Sequence, residues 1–253
     1  TATTTSSAVT LSDTTVAASA VNTLDDSVGV ITLQNNATIS SSSLSAVNTM
    51  LDSVTATTTS SAVTLSDTTV AAGALATLTS QVGTLALTNN TSAIAITNAA
   101  AAADINTLAA ATTGALTATV AETAVATIIA MNHVNGDDSI TAAIADTTIT
   151  ASDLATLISK VDVLTAVDNT AAMSIGSGAS VSDINVVNAL TTGVTSATLV
   201  ADTLSNLGSL TDKTGATDNI YTITVTDTAN STLTAANLST LGGKTSGAVT
   251  VTN

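Results

Sequence analysis

Apolar residues recur along this chain at two spacings. One is a pair at the helical i, i+3 separation: Val21 and Leu24, Val47 and Met50, Leu75 and Leu78, Ile105 and Leu108, Val125 and Ile128, Leu154 and Leu157, Ile184 and Val187, Leu204 and Leu207, Leu238 and Leu241. The other is β-branched alternation in short runs between the pairs: Val9–Leu11, Val30–Leu33, Val63–Leu65, Leu85–Leu87, Leu116–Val120, Ile140–Ile144, Ile220–Val225 and Val249–Val251. The pairs predict helices of two or three turns, and the runs predict strands. Small polar residues open several helices, as at Thr150 with Asp153 and Ser180 with Asp183. Gly29, Gly114 and Gly193 close others. Asp followed by Thr ends many strands, as at Asp13, Asp146 and Asp227. This predicts turns in which the carboxylate bonds its own backbone.

The pattern is repetitive. Thr1–Ala18 returns without change as Thr55–Ala72, and the decapeptide from Ser19 returns with small changes from Ser45. The unit is therefore about 27 residues, and about nine units fill the chain. A strand, a turn and a short helix cannot bury their apolar faces alone, whereas stacked copies can. The predicted fold is a repeat solenoid of parallel β-strands with short α-helices, a leucine-rich-repeat-like α/β coil. It forms one continuous array over residues 1–253 with no separate globular domain. The predicted core anchors are Leu24, Leu78, Leu108, Ile128, Leu157, Val187, Leu207 and Leu241. Both termini fall inside a repeat, so the array is expected to continue beyond them or to abut other copies.

Composition narrows the core and the partners. There is no Phe or Trp, and Tyr221 is the single aromatic residue, so the core is built from Ala, Val, Leu and Ile. Small side chains bury little area each at about 25 cal/mol per Å², which favours a thin core. The only basic residues are Lys160, Lys213 and Lys244, against 18 acids, for a formal charge of −15. Phosphate backbones and anionic membrane surfaces are poor partners for such a surface. No cysteine is present, so disulfides and thiolate metal sites are absent. No apolar stretch is long enough to span a bilayer.

The runs Ile140–Ser159 and Ile223–Leu241 resemble the degenerate repeats of very large Ala/Thr/Ser/Val/Asp-rich surface proteins of aquatic bacteria, including cyanobacteria. That resemblance covers nearly the whole chain. It implies extracellular or cell-surface structural work, adhesive or filament- and sheath-forming, and it carries no catalytic residues.

Candidate chemistry is sparse. His133 is the only histidine, so any serine triad would have to use it, and no Gly-x-Ser-x-Gly elbow occurs. Asp25–Asp26 and Asp137–Asp138 read as solvated turn acids, and Gly176-Ser-Gly178 reads as a turn. Glu122, the only glutamate, stands near a predicted helix start, where its charge suits the helix dipole. Calcium is the one cofactor with a rationale, because turn acids repeat along one edge and hard cations take oxygen ligands. Its candidate ligands are Asp137, Asp138, Asp146 and Asp227, although no EF-hand or glycine-rich nonapeptide accompanies them. The expected function is a non-catalytic structural component of a fibre, sheath or adhesive stalk, with other copies or neighbouring repeats as partners and cell-surface glycans as further ones. The alternatives are a calcium-, glycan- or ice-binding solenoid and a viral tail-fibre segment.

Overall fold

A computed structural model describes residues 7–34, 37–54, 61–132, 137–211, 219–227 and 233–252. His133, Lys213, Thr228 and the Thr55–Ser60 part of the second repeat block lie outside the described residues. The chain is α/β, with short helices alternating with strands that fall into four parallel sheets among the described residues. It gathers into two compact units, Thr1–Ala121 with Met131–Thr141, and Glu122–Ala130 with Ala142–Asn253.

The first unit runs β1 (Ala8–Leu11), β2 (Thr15–Val16), α1 (Ala18–Asp25), β3 (Val30–Leu33), β4 (Thr38–Ser42), α2 (Leu44–Ser53) and β5 (Ala62–Leu65). It continues with β6 (Thr69–Ala71), α3 (Ala72–Thr79), β7 (Thr84–Leu87), β8 (Ile94–Ala100), α4 (Ala102–Ala111), β9 (Leu116–Val120) and the first half of β10 (Ser139–Ile144). β1 pairs with β3, Ala8 opposite Val30. β2, β4, β5 and β7 follow one another across a second sheet. β6, β8 and β9 form a third, which Ser139–Thr141 join beside β9.

The second unit contains α5 (Val125–Ile129), the end of β10, β11 (Thr148–Ile149), α6 (Ala151–Ile158), β12 (Val163–Ala166), β13 (Met173–Ala179) and α7 (Val181–Leu190). After these come β14 (Thr195–Leu199), α8 (Leu204–Leu207), β15 (Ile220–Val225), α9 (Ala235–Gly242) and β16 (Val249–Val251). β11, β13, β14, β15 and β16 lie in that order in one sheet. β12 runs beside the end of β10, where the Val167 amide donates to the Ile144 carbonyl at 2.8 Å.

Parallel partners need a crossover between them, and in both units a turn and one short helix supply it. Helices and strands meet over an aliphatic core in which alanines, such as Ala118, Ala142 and Ala179, take inward strand positions and let the layers approach closely. Tyr221 is the exception. It is fully buried, and its hydroxyl donates to Asn188 Oδ1 at 3.0 Å, which satisfies its one polar atom.

The i, i+3 pairs face this core. Leu78, Leu108, Ile128, Leu157, Val187 and Leu207 are fully buried, and Leu241 nearly so. Leu24 and Leu238 are only half-buried. α1 packs against α2 and α9 against α8, each on one flank, so among the described residues no second helix covers the other side of their apolar stripes to a like extent. Two helices are shorter than the pairs predict, since α5 has 5 residues and α8 has 4. β4, β12, β13 and β14 are strands that alternation alone does not reveal. The Gly176-Ser-Gly178 run is no turn but part of β13, where the register with β14 shifts between Ile175 and Ala179 and Gly178 takes φ +88°. β8 has the same irregularity between Ala95 and Ala99, with Asn98 at φ 67°. No described helix is long and apolar enough to cross a membrane.

Candidate functional site

Side-chain chemistry in both units concentrates at the turns, and it links each repeat to its neighbour. At Asp67, Asp146 and Asp227 the carboxylate that follows a strand does not fold back onto its own backbone. Asp67 Oδ2 accepts from the amide of Leu44, the first residue of α2, at 2.6 Å, and Asp146 Oδ2 accepts from Val125, the first of α5, at 2.6 Å. Asp227 Oδ2 accepts in the same way from Leu204, the first of α8. The three bonds span 23, 21 and 23 residues. Each supplies an acceptor to an otherwise orphan helical amide and sets a negative charge on the positive end of the helix dipole. Turns closed by their own side chain occur elsewhere, with Thr91 bonded to Asn89 and Thr170 to Asp168. The Thr170 hydroxyl and amide hold the exposed Asp168 carboxyl below its ordinary value of 3.8.

A second device closes α4 and α7. Thr112 and Thr191 follow these helices, and in the preceding repeat the Thr112 hydroxyl meets the Asn90 carbonyl at 2.9 Å while the Thr191 hydroxyl meets the carbonyls of Ala171 at 2.5 Å and Asn169 at 3.1 Å. The same hydroxyls accept from the amides of Gly114 and Gly193 at 2.9 Å. Both glycines lie against the previous turn so closely that a Cβ would fall onto the carbonyl oxygens of Ser92 and Ala171. Neither has a positive φ. They are needed for close backbone approach rather than for the left-handed cap that their position after a helix predicts. After α9, Thr245 and Gly247 repeat the arrangement on Asn219 and Tyr221.

A third device runs between helices. Asn22 donates to the Ala46 carbonyl, Asn48 to that of Ala74 and Asn185 to that of Ser209, at 3.0, 2.9 and 3.0 Å. The predicted helix caps are present as well. Thr150 Oγ1 accepts from the Asp153 amide, and Ser180 and Asp183 form a reciprocal capping box.

The calcium candidates are dispersed among these roles. Asp138 Oδ1 accepts from the Leu116 amide at 2.7 Å, at the start of β9, as the buried Asn219 does from Thr195 at 2.9 Å. Asp146 and Asp227 cap helices, while Asp137 stands exposed in a turn. Among the described residues no group of three or more His, Asp or Glu is placed to hold a metal ion. Of the predicted core anchors, all but the half-buried Leu24 lie in the two cores. A cleft of about 340 Å³ lies between α8 and α9, with Lys244 at its edge. The Lys244 ammonium donates to the carbonyls of Gly208 and Leu210, closing the C-terminus of α8.

A longer period organises the devices, and sequence reasoning missed it. Asp67, Asp104, Thr112 and Gly114 recur 79 positions later as Asp146, Asp183, Thr191 and Gly193. Leu78, Leu108 and Ile128 recur at the same step as Leu157, Val187 and Leu207. The signal was available in Thr-Thr-Gly, which follows a helical pair at both places. Comparison with protein-family models, curated proteins and solved structures finds no match to this chain.

Proposed function

We propose that this chain is a non-catalytic structural component of an extracellular or cell-surface fibre, sheath or adhesive stalk, built as a repeat solenoid whose units hold one another. The observation that carries the reading is the direction of the turn bonds: Asp67, Asp146 and Asp227 each commit a carboxylate to the first helical amide of the repeat before their own. Such side chains serve stacking rather than a substrate. An acidic surface with three basic residues and no cysteine suits export, as does the resemblance to aquatic bacterial surface proteins. The array needs no cofactor in this reading, because Asp138, Asp146 and Asp227 already bond to amides.

Electron microscopy of length variants tests the proposal. Parallel strands lie about 4.8 Å apart, so duplicating residues 67–145, which carry three helices, is expected to lengthen the particle by about 14 Å at constant width. A particle that swells equally in all directions would show that the repeats do not stack in one dimension.

A further inference from the structure

One stretch of sequence occurs twice within the first unit, in two different environments. In the second copy, Ala62–Leu65 form β5, which pairs with β4 on one side and β7 on the other. Leu65, Val70, Leu75 and Leu78 are all at least 98% buried, and Asp67 caps α2. In the first copy, the identical Ala8–Leu11 form β1, which pairs with β3 and has no second partner among the described residues. Burial falls accordingly along the strand, where the residues that are half-buried and buried in turn in β5 are exposed and half-buried in turn in β1, while Val16 and Val21, the counterparts of Val70 and Leu75, stay buried. Asp13, the counterpart of Asp67, is exposed and accepts no bond from any described residue. Leu24, the counterpart of Leu78, is half-buried, and Leu11, Asp13, Val16, Ala20, Val21 and Leu24 border an open groove of about 280 Å³.

The second copy defines what fits such a face. It is covered by Ala37–Val54, which supplies β4 as a parallel strand, the Leu44 amide for Asp67, and α2 packed on α3 with Leu44, Met50 and Leu51 buried. We propose that the β1 edge, Asp13 and the groove beside α1 are an acceptor face for one further strand–helix unit of the type of Ala37–Val54, carried on the same polypeptide. It adds a strand to β1 and gives its first helical amide to Asp13. Connection in cis is favoured because Thr1–Ser6 repeats Thr55–Ser60, the segment that joins α2 to its own acceptor face. This inference rests on the stacking reading above.

The test grafts residues 37–54 directly ahead of Thr1 of the 253-residue chain, which recreates the Val54–Thr55 junction residue for residue. Thermal unfolding is then measured with and without Asp13→Ala, and Asp67→Ala in the ungrafted chain serves as reference. The graft is expected to raise Tm. Asp13→Ala is expected to lower the Tm of the grafted chain by about 2–4 °C, the shift that losing one cap gives in a chain of this size, and to leave the ungrafted chain within 1 °C. A graft that gives no gain, an equal effect of Asp13→Ala in both chains, or a grafted chain that does not fold overturns the inference. If Asp67→Ala still lowers Tm in any of those cases, the stacking reading stands without it. An ungrafted chain that sediments as a dimer and becomes monomeric on grafting would show a second copy on this face, and would overturn the occupant proposed.

Discussion

The Asp146 carboxylate and the Val125 amide are 21 residues apart in sequence and 2.6 Å apart in space. The bond fixes the register of α5 against the turn of the following repeat, and the same contact links Asp67 to Leu44. Replacing Asp146 with Ala removes a cap and leaves a first-turn amide without its acceptor. The expected loss is about 1–2 kcal/mol, read as a lower urea midpoint at unchanged slope. Asp146→Asn keeps an acceptor oxygen and should recover more than half of it.

Two glycine substitutions should move stability in opposite directions. A Cβ at Gly193 collides with the backbone of Ala171, which cannot yield without breaking the contact between the Ala171 carbonyl and the Thr191 hydroxyl. Gly193→Ala is expected to cost about 2 kcal/mol or more. Gly73 lies inside α3, and the space a methyl group would take there has no neighbouring atom within 4 Å, so Gly73→Ala should stabilise by about 0.5–1 kcal/mol. Chemical denaturation of the two variants checks both signs.

Leu157 is fully enclosed and Leu24 is not. Leu157→Ala is expected to cost about 2–5 kcal/mol, the range for a cavity in a packed core, and Leu24→Ala about 1 kcal/mol, since water already reaches part of the side chain. Equal losses would contradict the open flank of α1. Tyr221, the single aromatic residue and fully buried, supplies the fluorescence signal for these measurements.

Asp168 should titrate below its ordinary value because the Thr170 hydroxyl, and then the Thr170 amide, bond its charged form. A carboxyl whose folded value is depressed adds stability above its unfolded value and loses it as pH falls through the folded one. The contribution is therefore present at neutral pH and disappears in the acid range below 3.8. Nuclear magnetic resonance titration reads it directly, and Thr170→Val should move the midpoint back upward.

Chelation supplies a separate check on the turn acids. With Asp138 and Asp146 bonded to amides and Asp227 doing the same, excess EDTA is expected to leave the thermal midpoint unchanged. A drop of several degrees would mean that these carboxylates hold a cation.

Parts of this architecture are legible in the amino-acid order alone. The helices are, because a Leu or Ile pair three residues apart needs no partner to be recognised, and so are Thr150 and Ser180, whose capping bonds stay within one turn. β4 and β13 are not. TISSS puts one apolar residue inward, and MSIGSGA puts three inward but interrupts them with Gly-Ser-Gly, so regular alternation is too sparse to register. The partners of Asp67 and Asp146 are hidden for a different reason. An Asp before Thr suggests a local turn, and only the parallel register reveals that the nearer amide belongs to another helix. The same holds for Gly114, where a helix-ending glycine has a familiar local explanation and the decisive contact, with Ser92, comes from the preceding repeat.

The strand pairings themselves have a kinetic consequence. Parallel sheets usually form slowly because their partners are distant along the chain, and closing a long loop precedes any gain. Here Thr112 reaches back 22 residues to Asn90, Leu204 reaches forward 23 to Asp227, and the ladder bonds have similar spans. Divided by the length of 253 residues, that span corresponds to a relative contact order of about 0.1, in the range of helical bundles rather than of sandwiches. A ribosome would release every partner that a new strand requires before that strand emerges, so the sheets can grow from the N-terminal side during synthesis, with the same small closure at each step.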